Sequence, residues 1–254
     1  MVAVVSDSAQ VSRTRPFYAL HAEAYDLLVT DPVEPWVDEV HRRLTARGWS
    51  AAVVLDAGCG TGRHAAALSA MGHRVDLADA SAELLAQAAA RTPGAQSLHV
   101  DLCALDVGTE YQAVTCRGVL NDMITDVERD AVLRSFAGVL APGGLLLLDV
   151  REQEGSRRRA DAVARRRAVD LGERRRLELA TTAVWWQGLL LVHEEYTVLA
   201  PAAPADRSVF EFTMRPWTEQ ELRDRLIAAG FCSVGIGPGI GRSTTDRLFV
   251  VAER

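Results

Sequence analysis

Three glycines alternate with other residues directly after an acidic residue in the segment DAGCGTG, which begins at Asp56 and contains Gly58, Gly60 and Gly62. The apolar run before it, residues 53–55, predicts a buried strand, and the alanine-rich segment after it predicts a helix. Alternating glycines let the backbone turn sharply and approach a ligand where a Cβ would collide. The free N–H groups at the start of a helix then face that ligand. The segment therefore predicts a nucleotide-type site at the carboxyl end of the first strand of an α/β sheet.

The glycine spacing indicates which nucleotide this site takes. A dinucleotide fingerprint would place its third glycine at position 63, which is Arg63. An acid followed by three alternating glycines resembles instead the first motif of the class I S-adenosylmethionine (SAM)-dependent methyltransferases, and this resemblance implies SAM as the cofactor. The alternative is a glycine-rich turn that binds nothing, which is disfavoured because three glycines are costly to order.

Two further acids follow predicted strands. Asp79 ends the second strand about twenty residues after the glycines, where a carboxylate can accept hydrogen bonds from both ribose hydroxyls. Ser81 is the predicted N-cap of the next helix. The third strand, residues 97–100, ends at Asp101 and Leu102. There the resemblance implies an acid near the adenine amino group and an apolar side chain against the ring.

The resemblance also implies a lid. In related methyltransferases an N-terminal helix folds over the cofactor, and a tyrosine from it contacts the methionine end of SAM; Tyr18 and Tyr25 are the candidates here, with a purely structural role in the core as an equal alternative. The full cofactor set that the resemblance implies is Tyr18, Tyr25, Asp56, Gly58, Gly60, Gly62, His64, Asp79, Ala80, Asp101, Leu102 and Arg117.

The predicted fold class is α/β, a Rossmann-like, mostly parallel seven-stranded sheet flanked by helices, with a small antiparallel β insertion after strand five. Residues 111–116 and 145–150 are the predicted fourth and fifth strands, with a turn at 141–144 between helix and strand. The expected domains are 1–150, with cap helices and the SAM-binding core, 151–215, the insertion, and 216–254, the last helix and strands.

Within the insertion, residues 177–186 and 189–198 predict strands joined by a turn at Gln187-Gly188, and residues 208–214 a third strand after a loop at 200–207. An insertion at this point would cover the mouth of the cleft, as in the small-molecule N- and O-methyltransferases of bacterial natural-product pathways, which this arrangement resembles. Strand alternation puts Trp185 and Trp186 on opposite faces, so at most one contacts the substrate. The candidate substrate-binding residues are Tyr18, Asn121, Arg151, Trp185, His193 and Arg215.

Candidate catalytic residues are Asn121, Asp122 and His193. Asn121 and Asp122 follow the fourth strand and would project into the cleft where the methyl group lies; the alternative is that one of them caps the next helix. That helix, residues 127–140, has its own predicted cap in Asp126. His21 and His193 are candidate bases for a hydroxyl acceptor, although a lone histidine is more often structural. No metal site is expected, because the sequence shows no metal-ligand cluster.

Residues 151–178 contain ten arginines and six acids, a net charge of +4 in a chain whose total is −6. One interpretation is an RNA-binding face, which would make the chain an RNA methyltransferase. The favoured interpretation is a solvated helix with interleaved acids, because the patch is local and carries few aromatic side chains to stack on bases.

The composition, with 48% hydrophobic residues and four scattered cysteines, is typical of a globular cytoplasmic protein with reduced thiols. No apolar run is long enough to span a bilayer. The sequence thus predicts a SAM-dependent methyltransferase acting on N, or O, of a small molecule in bacterial secondary metabolism, with a homodimer left open. A nicotinamide oxidoreductase and a non-catalytic SAM-binding module are the remaining alternatives.

Overall fold

The computed structural model describes residues 22–108, 110–201 and 203–254, which form two β-sheets and the helices around them. Tyr18 and His21 lie outside the described residues. The helices are α1 (Tyr25–Leu28), α2 (Glu34–Ala46), α3 (Arg63–Ala70), α4 (Ala82–Arg91), α5 (Asp126–Val139), α6 (Gln153–Arg159) and α7 (Glu219–Ala228). The strands are β1 (Val53–Ala57), β2 (Arg74–Asp79), β3 (Ser97–His99), β4 (Tyr111–Arg117), β5 (Leu140–Arg151), β6 (Arg165–Gly172), β7 (Arg175–Trp186), β8 (Leu189–Ala200), β9 (Ala203–Met214), β10 (Ser233–Pro238) and β11 (Arg247–Glu253).

The larger sheet has seven strands in the order β10-β11-β5-β4-β1-β2-β3. β1 pairs in parallel with both β2 and β4, and β11 is antiparallel to β5. The strand order reverses direction at β1, between β2 and β4, and this is the point where open α/β sheets bind ligands. The predicted fold class is therefore confirmed, including the parallel core and the terminal strand pair.

Helices cover both faces of this sheet, and each face has its own apolar core. On one side α5 and α7 pack on the sheet through buried residues such as Phe136 and Leu226. On the other side α2, α3 and α4 do so, with Trp36 meeting Phe249 of β11 edge to face at 5.4 Å between ring centroids. Strands buried on both faces read as continuous apolar runs, which is why β1, β4 and β5 were recognisable in the sequence.

The smaller sheet is the insertion, four antiparallel strands in the order β6-β7-β8-β9. The predicted turn joins β7 to β8, with Gln187 at φ 47° and Gly188 at φ 85°, the left-handed pair that a two-residue hairpin requires. The expected loop at 200–207 is wrong in extent, because β9 begins at Ala203 and pairs with β8 through Arg207 opposite Thr197.

The arginine-rich segment differs from the predicted solvated helix. Only residues 153–159 are helical; residues 165–172 form β6 and pair with β7, so that the charged stretch is largely an edge strand. The interleaved acids do not require a helix, because ion pairs between residues three or four apart also form in other backbone geometries. The helical prediction is therefore wrong for most of the segment. The expected pairing of arginines with acids is observed, for example between Arg165 and Asp161 at 2.9 Å.

Two smaller expectations also change. The N-cap of α5 is Thr125 rather than Asp126, because the Thr125 hydroxyl accepts the Glu128 N–H and the Glu128 carboxylate accepts the Thr125 N–H, a reciprocal capping box. β5 begins at Leu140, five residues before the predicted start, with Gly143 at φ 75° inside the predicted turn. Across residues 22–108, 110–201 and 203–254, no helix combines the length and apolar character needed to cross a membrane.

Candidate functional site

A pocket opens at the carboxyl ends of β1, β2 and β4, where the strand order reverses. Its walls come from the glycine loop, the ends of β2 and β3, the segment after β4 and the tyrosine of α1. The lining residues are Tyr25, Gly58, Gly60, Asp79, Ala80, Ser81, Leu84, Asp101, Leu102, Arg117, Gly118, Val119, Asp122 and Met123. The structure therefore brings together residues from five separate parts of the sequence.

The three glycines of the loop have different physical roles. All have left-handed φ values, 72° at Gly58, 56° at Gly60 and 78° at Gly62. A Cβ on Gly58 would lie 2.4 Å from a methyl group of Val119, and one on Gly62 would lie 2.7 Å from the Cα of Ala88 in α4. Gly58 and Gly62 therefore allow close packing of neighbouring segments, whereas Gly60 faces the pocket beneath Tyr25.

Asp79 links the glycine loop to the start of α4. One carboxylate oxygen accepts the Gly60 N–H at 2.8 Å and the other accepts the Ser81 N–H at 2.8 Å. Burial raises the pKa of Asp79, and these backbone donors oppose that effect. Each carboxylate oxygen can accept more than one hydrogen bond, so Asp79 retains acceptor capacity toward the pocket. Ser81 caps α4 as predicted, through its hydroxyl and the Leu84 N–H.

Asp56 lies beneath the loop, outside the residues that line the pocket. It is 4% exposed, and its carboxylate accepts the Thr115 hydroxyl of β4 at 2.8 Å. Burial raises the pKa of Asp56 to about 6, the Thr115 hydrogen bond lowers it, and the nearby charge of Asp79 raises it further. Its position favours support of the loop from below rather than direct contact with a ligand.

Asp101 and Leu102 form the far wall. The Asp101 carboxylate accepts the Cys103 N–H at 2.9 Å and caps the short 3-10 helix Leu102–Ala104. Leu102 is 4% exposed and Met123 is 3% exposed, so this end of the pocket is apolar with one carboxylate at its edge. An aromatic base edged by an amino group fits such a wall, because the ring needs apolar contact and the amino group needs an acceptor.

Arg117 closes the opposite side, at the end of β4. It donates to Nε2 of His64 at 2.9 Å and to the Gly241 carbonyl at 2.6 Å. Burial lowers the pKa of Arg117 to about 10 and that of His64 to about 3, in His64 with added repulsion from the Arg117 charge. The buried Nε of Arg117 has no hydrogen-bond partner within the described part of the chain, a donor for which a bound acceptor would compensate.

The two polar residues after β4 have different environments. Asn121 is 1% exposed, its side-chain carbonyl accepts the Arg151 N–H at 2.7 Å, and its amide donates to the Gly118 carbonyl at 3.3 Å. Asp122 lines the pocket. The fold thus uses Asn121 to join β5 to the segment after β4, and leaves Asp122 as the member of the pair at the pocket surface.

The remaining predicted substrate residues lie outside the pocket lining. Arg151 pairs with Asp246 at 2.6 Å, and Arg215 pairs with Asp126 at 2.7 Å and Glu221 at 2.9 Å. Trp185 packs with the apolar inner face of the insertion, as Phe212 and Met214 do.

His193 lies on the outer face of the insertion, 3.3 Å from a Glu195 oxygen and 3.2 Å from a Glu211 oxygen. It is opposite Thr182 and Glu211 in the neighbouring strands, so the strand pleat turns it away from the apolar inner face that packs on the rest of the molecule. His193 is therefore not among the residues that line the pocket.

Several pocket residues escaped sequence reasoning. Ser81, Leu84, Val119 and Met123 line the cavity next to predicted residues. Arg129 is fully buried, donates to the Met123 carbonyl at 3.0 Å and to Glu221 at 2.8 Å, and stacks 3.7 Å from the Trp217 ring. The one available signal was an arginine on the apolar face of the predicted helix 127–140.

The described ranges contain no group of three or more His, Cys, Asp or Glu side chains arranged to hold a metal ion. The acids at the pocket are instead dispersed along its length, on β2, after β3 and after β4. Spaced acceptors of this kind suit an extended ligand with several polar groups rather than a compact cation.

Comparison with known proteins agrees with this geometry. Residues 54–144 match the methyltransferase domain family. A curated relative, the dTDP-3-amino-3,6-dideoxy-alpha-D-glucopyranose N,N-dimethyltransferase of Streptomyces fradiae, is 34% identical over 100 residues. That alignment covers 39% of this chain and only 39% of the relative.

Solved structures extend the likeness to the whole fold. DesVI of Streptomyces venezuelae has a TM-score of 0.77 at 23% identity, covering 91% of this chain and 97% of that one. SAM-bound CalS10 of Micromonospora echinaspora, an amino pentose methyltransferase, has a TM-score of 0.72 at 24% identity, covering 94% and 97%. Residues 54–144 therefore match the methyltransferase domain family, and the chain as a whole has the same fold as these two solved structures.

Proposed function

We propose that this chain is a SAM-dependent methyltransferase that methylates the amino nitrogen of a small molecule, with an amino sugar of a bacterial natural-product pathway as the preferred acceptor class. The observation that carries the proposal is the placement of Asp79, Asp101 and Arg117 around one pocket at the glycine loop, in a domain that matches the methyltransferase family. The acceptor class rests on the relative from Streptomyces fradiae and on the amino pentose methyltransferase, both of which act on amino sugars.

The residues fit the cofactor from one end to the other. Asp79 offers acceptors for the ribose hydroxyls, and Asp101 with Leu102 offers an acceptor and an apolar wall for the adenine. The unsatisfied Nε of Arg117 offers a donor to a carboxylate, and Tyr25 lies over the loop. SAM supplies an activated methyl group on a sulfonium, so the protein needs mainly to align the acceptor and to exclude water.

On the acceptor side, Asp122 is the polar group best placed to orient an amine. A carboxylate accepts a hydrogen bond from an amine N–H and so turns the nitrogen lone pair toward the bound methyl group; the proton released by the reaction passes to water. Asn121 acts through the backbone, because its two hydrogen bonds hold the segment that carries Asp122 against β5. A general base is not required for an amine that binds in its neutral form.

The arginine-rich insertion supports a small-molecule acceptor over RNA. Arg157 pairs with Glu154 at 2.8 Å, Arg165 with Asp161 at 2.9 Å and Arg176 with Glu178 at 3.3 Å. Pairing with acids lowers the positive potential that these arginines present to a phosphate backbone. The proposal includes a cytoplasmic location, and the homodimer stays a prediction that sedimentation velocity would test.

Calorimetric titration with S-adenosylhomocysteine (SAH) tests the cofactor. We expect micromolar binding by the wild type and at least tenfold weaker binding by Asp79→Asn, because the amide replaces one acceptor oxygen of the carboxylate with an NH₂ group, which only donates. Asp224→Asn is the matched control, since Asp224 is exposed on α7 and contacts Gln220. Failure of the wild type to bind SAH would contradict the proposal at its first step.

Turnover with an acceptor panel tests the reaction. dTDP-linked amino sugars, their hydroxyl analogues and short RNAs are incubated with labelled SAM, and methyl transfer to the amine alone is the expected result. Transfer only to the hydroxyl analogue or to RNA would overturn the acceptor class while leaving the cofactor assignment intact. SAH binding without any turnover would favour a non-catalytic module.

A further inference from the structure

The N-terminal segment of the described chain, residues 22–31, lies across the pocket and is called the strap below. It consists of the 3-10 helix Ala22–Ala24, helix α1 and the extended residues to Asp31. The Tyr25 ring lies over the glycine loop. A Cβ added to Gly60 would be 3.8 Å from the nearest carbon of this ring. The pocket volume beneath is about 80 Å³, against roughly 300–1,000 Å³ for typical small-molecule sites. Displacement of the strap would enlarge this pocket toward the size that a nucleotide-sized ligand needs.

One side of the strap is held to the glycine loop and to α4 by polar contacts. The Thr61 hydroxyl donates to the Asp26 carboxylate at 2.5 Å, and Arg91 of α4 forms an ion pair with the same carboxylate. Arg91 also donates to the Thr61 hydroxyl oxygen at 3.3 Å, closing a three-residue cluster. Thr61 is buried, whereas the Asp26 and Arg91 side chains are 23% and 38% exposed.

The other side of the strap is attached by apolar packing. Ala24 and Leu28 belong to one buried cluster with Leu177, Tyr196 and Phe210 of the insertion. A hydrogen bond from Arg167 of β6 to the Leu28 carbonyl, at 2.8 Å, ties the end of α1 to the same sheet. This side buries apolar surface and resists separation, because exposing that surface to water is unfavourable.

The end of the strap is held at two further points. Arg63 donates to the Val29 carbonyl at 2.7 Å, and Arg242 pairs with Asp31 at 3.0 Å. These contacts fix the position at which the strap leaves the pocket. The cluster of Asp26, Thr61 and Arg91 is a separate polar attachment, at the glycine loop itself.

We propose that Asp26, with Thr61 and Arg91, is a latch that holds the strap closed over the cofactor site and sets the rate at which cofactor exchanges. Asp26 is thus a positioning residue, acting through Tyr25 and the strap. Opening breaks charge-assisted hydrogen bonds whose partners water can solvate, so the latch is reversible, while the apolar side keeps the strap attached to the insertion. The part concerning cofactor exchange rests on the proposed function; the part concerning strap closure does not.

Hydrogen exchange in the free protein tests strap closure without any cofactor. The Val29 N–H, which donates to the Tyr25 carbonyl at 2.9 Å, reports on α1. We expect amides of the strap to exchange roughly tenfold faster in Asp26→Asn and in Arg91→Ala than in the wild type, with exchange in β4 and β5 unchanged. Asp224→Asn is again the matched control. Unchanged strap exchange in both latch variants would overturn the proposal.

Stopped-flow release of SAH tests the consequence for exchange. Asp26→Asn and Arg91→Ala should each increase the SAH dissociation rate by roughly tenfold, and the double variant should increase it little further, because both substitutions open one cluster. Dissociation rates within twofold of wild type would overturn the cofactor role. If the wild type bound no SAH, the proposed function would fail, and hydrogen exchange would still decide whether the latch closes the strap.

Discussion

Arg117 at the end of β4 donates a hydrogen bond to Nε2 of His64 at the start of α3, with 2.9 Å between the two nitrogens. A guanidinium has no acceptor, so this contact requires an unprotonated Nε2 and assigns His64 as a neutral imidazole with its proton on Nδ1. Arg117 itself is tied to the Gly241 carbonyl at 2.6 Å. Through Arg117, His64 therefore connects α3 to β4 and to the loop before β11. This connection requires His64 to be uncharged.

This pairing predicts acid sensitivity. Burial and the Arg117 charge lower the pKa of His64 to about 3 in the folded chain, against about 6.5 in the unfolded chain. Below pH 6.5 the unfolded chain binds the proton more readily, so the free energy of unfolding falls as the pH falls through that range. The variant His64→Gln has an amide oxygen that can still accept from Arg117. Between pH 7.5 and pH 5 we expect its free energy of unfolding to fall by about 2 kcal/mol less than that of the wild type. Urea unfolding at both pH values measures the difference, and parallel losses in the two proteins would contradict the prediction.

Asp56 predicts the opposite pH dependence. Its folded pKa of about 6 exceeds the ordinary value of about 3.9, so the folded chain binds the proton more readily between those values. Stability contributed by this group is present below pH 4 and is lost as the pH rises through 6. Asp56→Asn removes this loss, and we expect it to unfold at higher urea than wild type at pH 8, by about 1–2 kcal/mol, with little difference at pH 4.

SAH binding by Asp56→Asn provides a second measurement, independent of its stability. The same variant should bind SAH more weakly, because the charge beneath the loop and the hydrogen bond with Thr115 at 2.8 Å are altered. Higher stability at pH 8 with unchanged SAH binding would show that Asp56 has no role in cofactor binding, and lower stability at pH 8 would contradict the predicted pH dependence.

Gly62 and Gly94 provide a matched pair for the loop geometry. Both have left-handed backbones, φ 78° and 87°, but a Cβ on Gly62 would collide with the backbone of Ala88 at 2.7 Å, whereas a Cβ on Gly94 would meet nothing within 4 Å. Gly94→Ala should lower the free energy of unfolding by about 1–2 kcal/mol, because alanine is strained in a left-handed conformation. Gly62→Ala should lower it by about 3 kcal/mol or more, because the collision adds to that strain. Chemical denaturation compares them, and equal losses would mean that α3 and α4 separate readily.

The turn between β6 and β7 offers a stabilising substitution. Glu173 and Arg174 occupy left-handed conformations, φ 51° and 62°, which suit Asn and Gly better than either native residue. The double variant Glu173→Asn with Arg174→Gly should gain about 1 kcal/mol in unfolding free energy while SAH affinity is unchanged. Gln187→Asn, in the turn before the native Gly188, tests the same preference in the β7–β8 hairpin.

The sequence alone identified many of the residues that line the pocket at the glycine loop. Glycines 58, 60 and 62, Asp79 and Asp101 could be found because each follows a buried apolar strand, and parallel strands bring their carboxyl ends to one edge. The same apolar runs indicated the individual strands of the sheet and of the insertion, whereas the seven-stranded arrangement was implied by the resemblance to the methyltransferase family. Apolar runs in the sequence were sufficient to identify residues at the ends of strands, because strand order alone brings those residues together.

The tertiary structure decided the rest. It placed His193 on the outer face of its strand, gave Asn121 two structural hydrogen bonds, and turned the arginine-rich segment into an edge strand. It also formed the Asp26–Thr61–Arg91 cluster from three distant parts of the chain. Charged and polar residues carry no periodic signal of which partner they will meet, because those partners are chosen only when separate elements pack together.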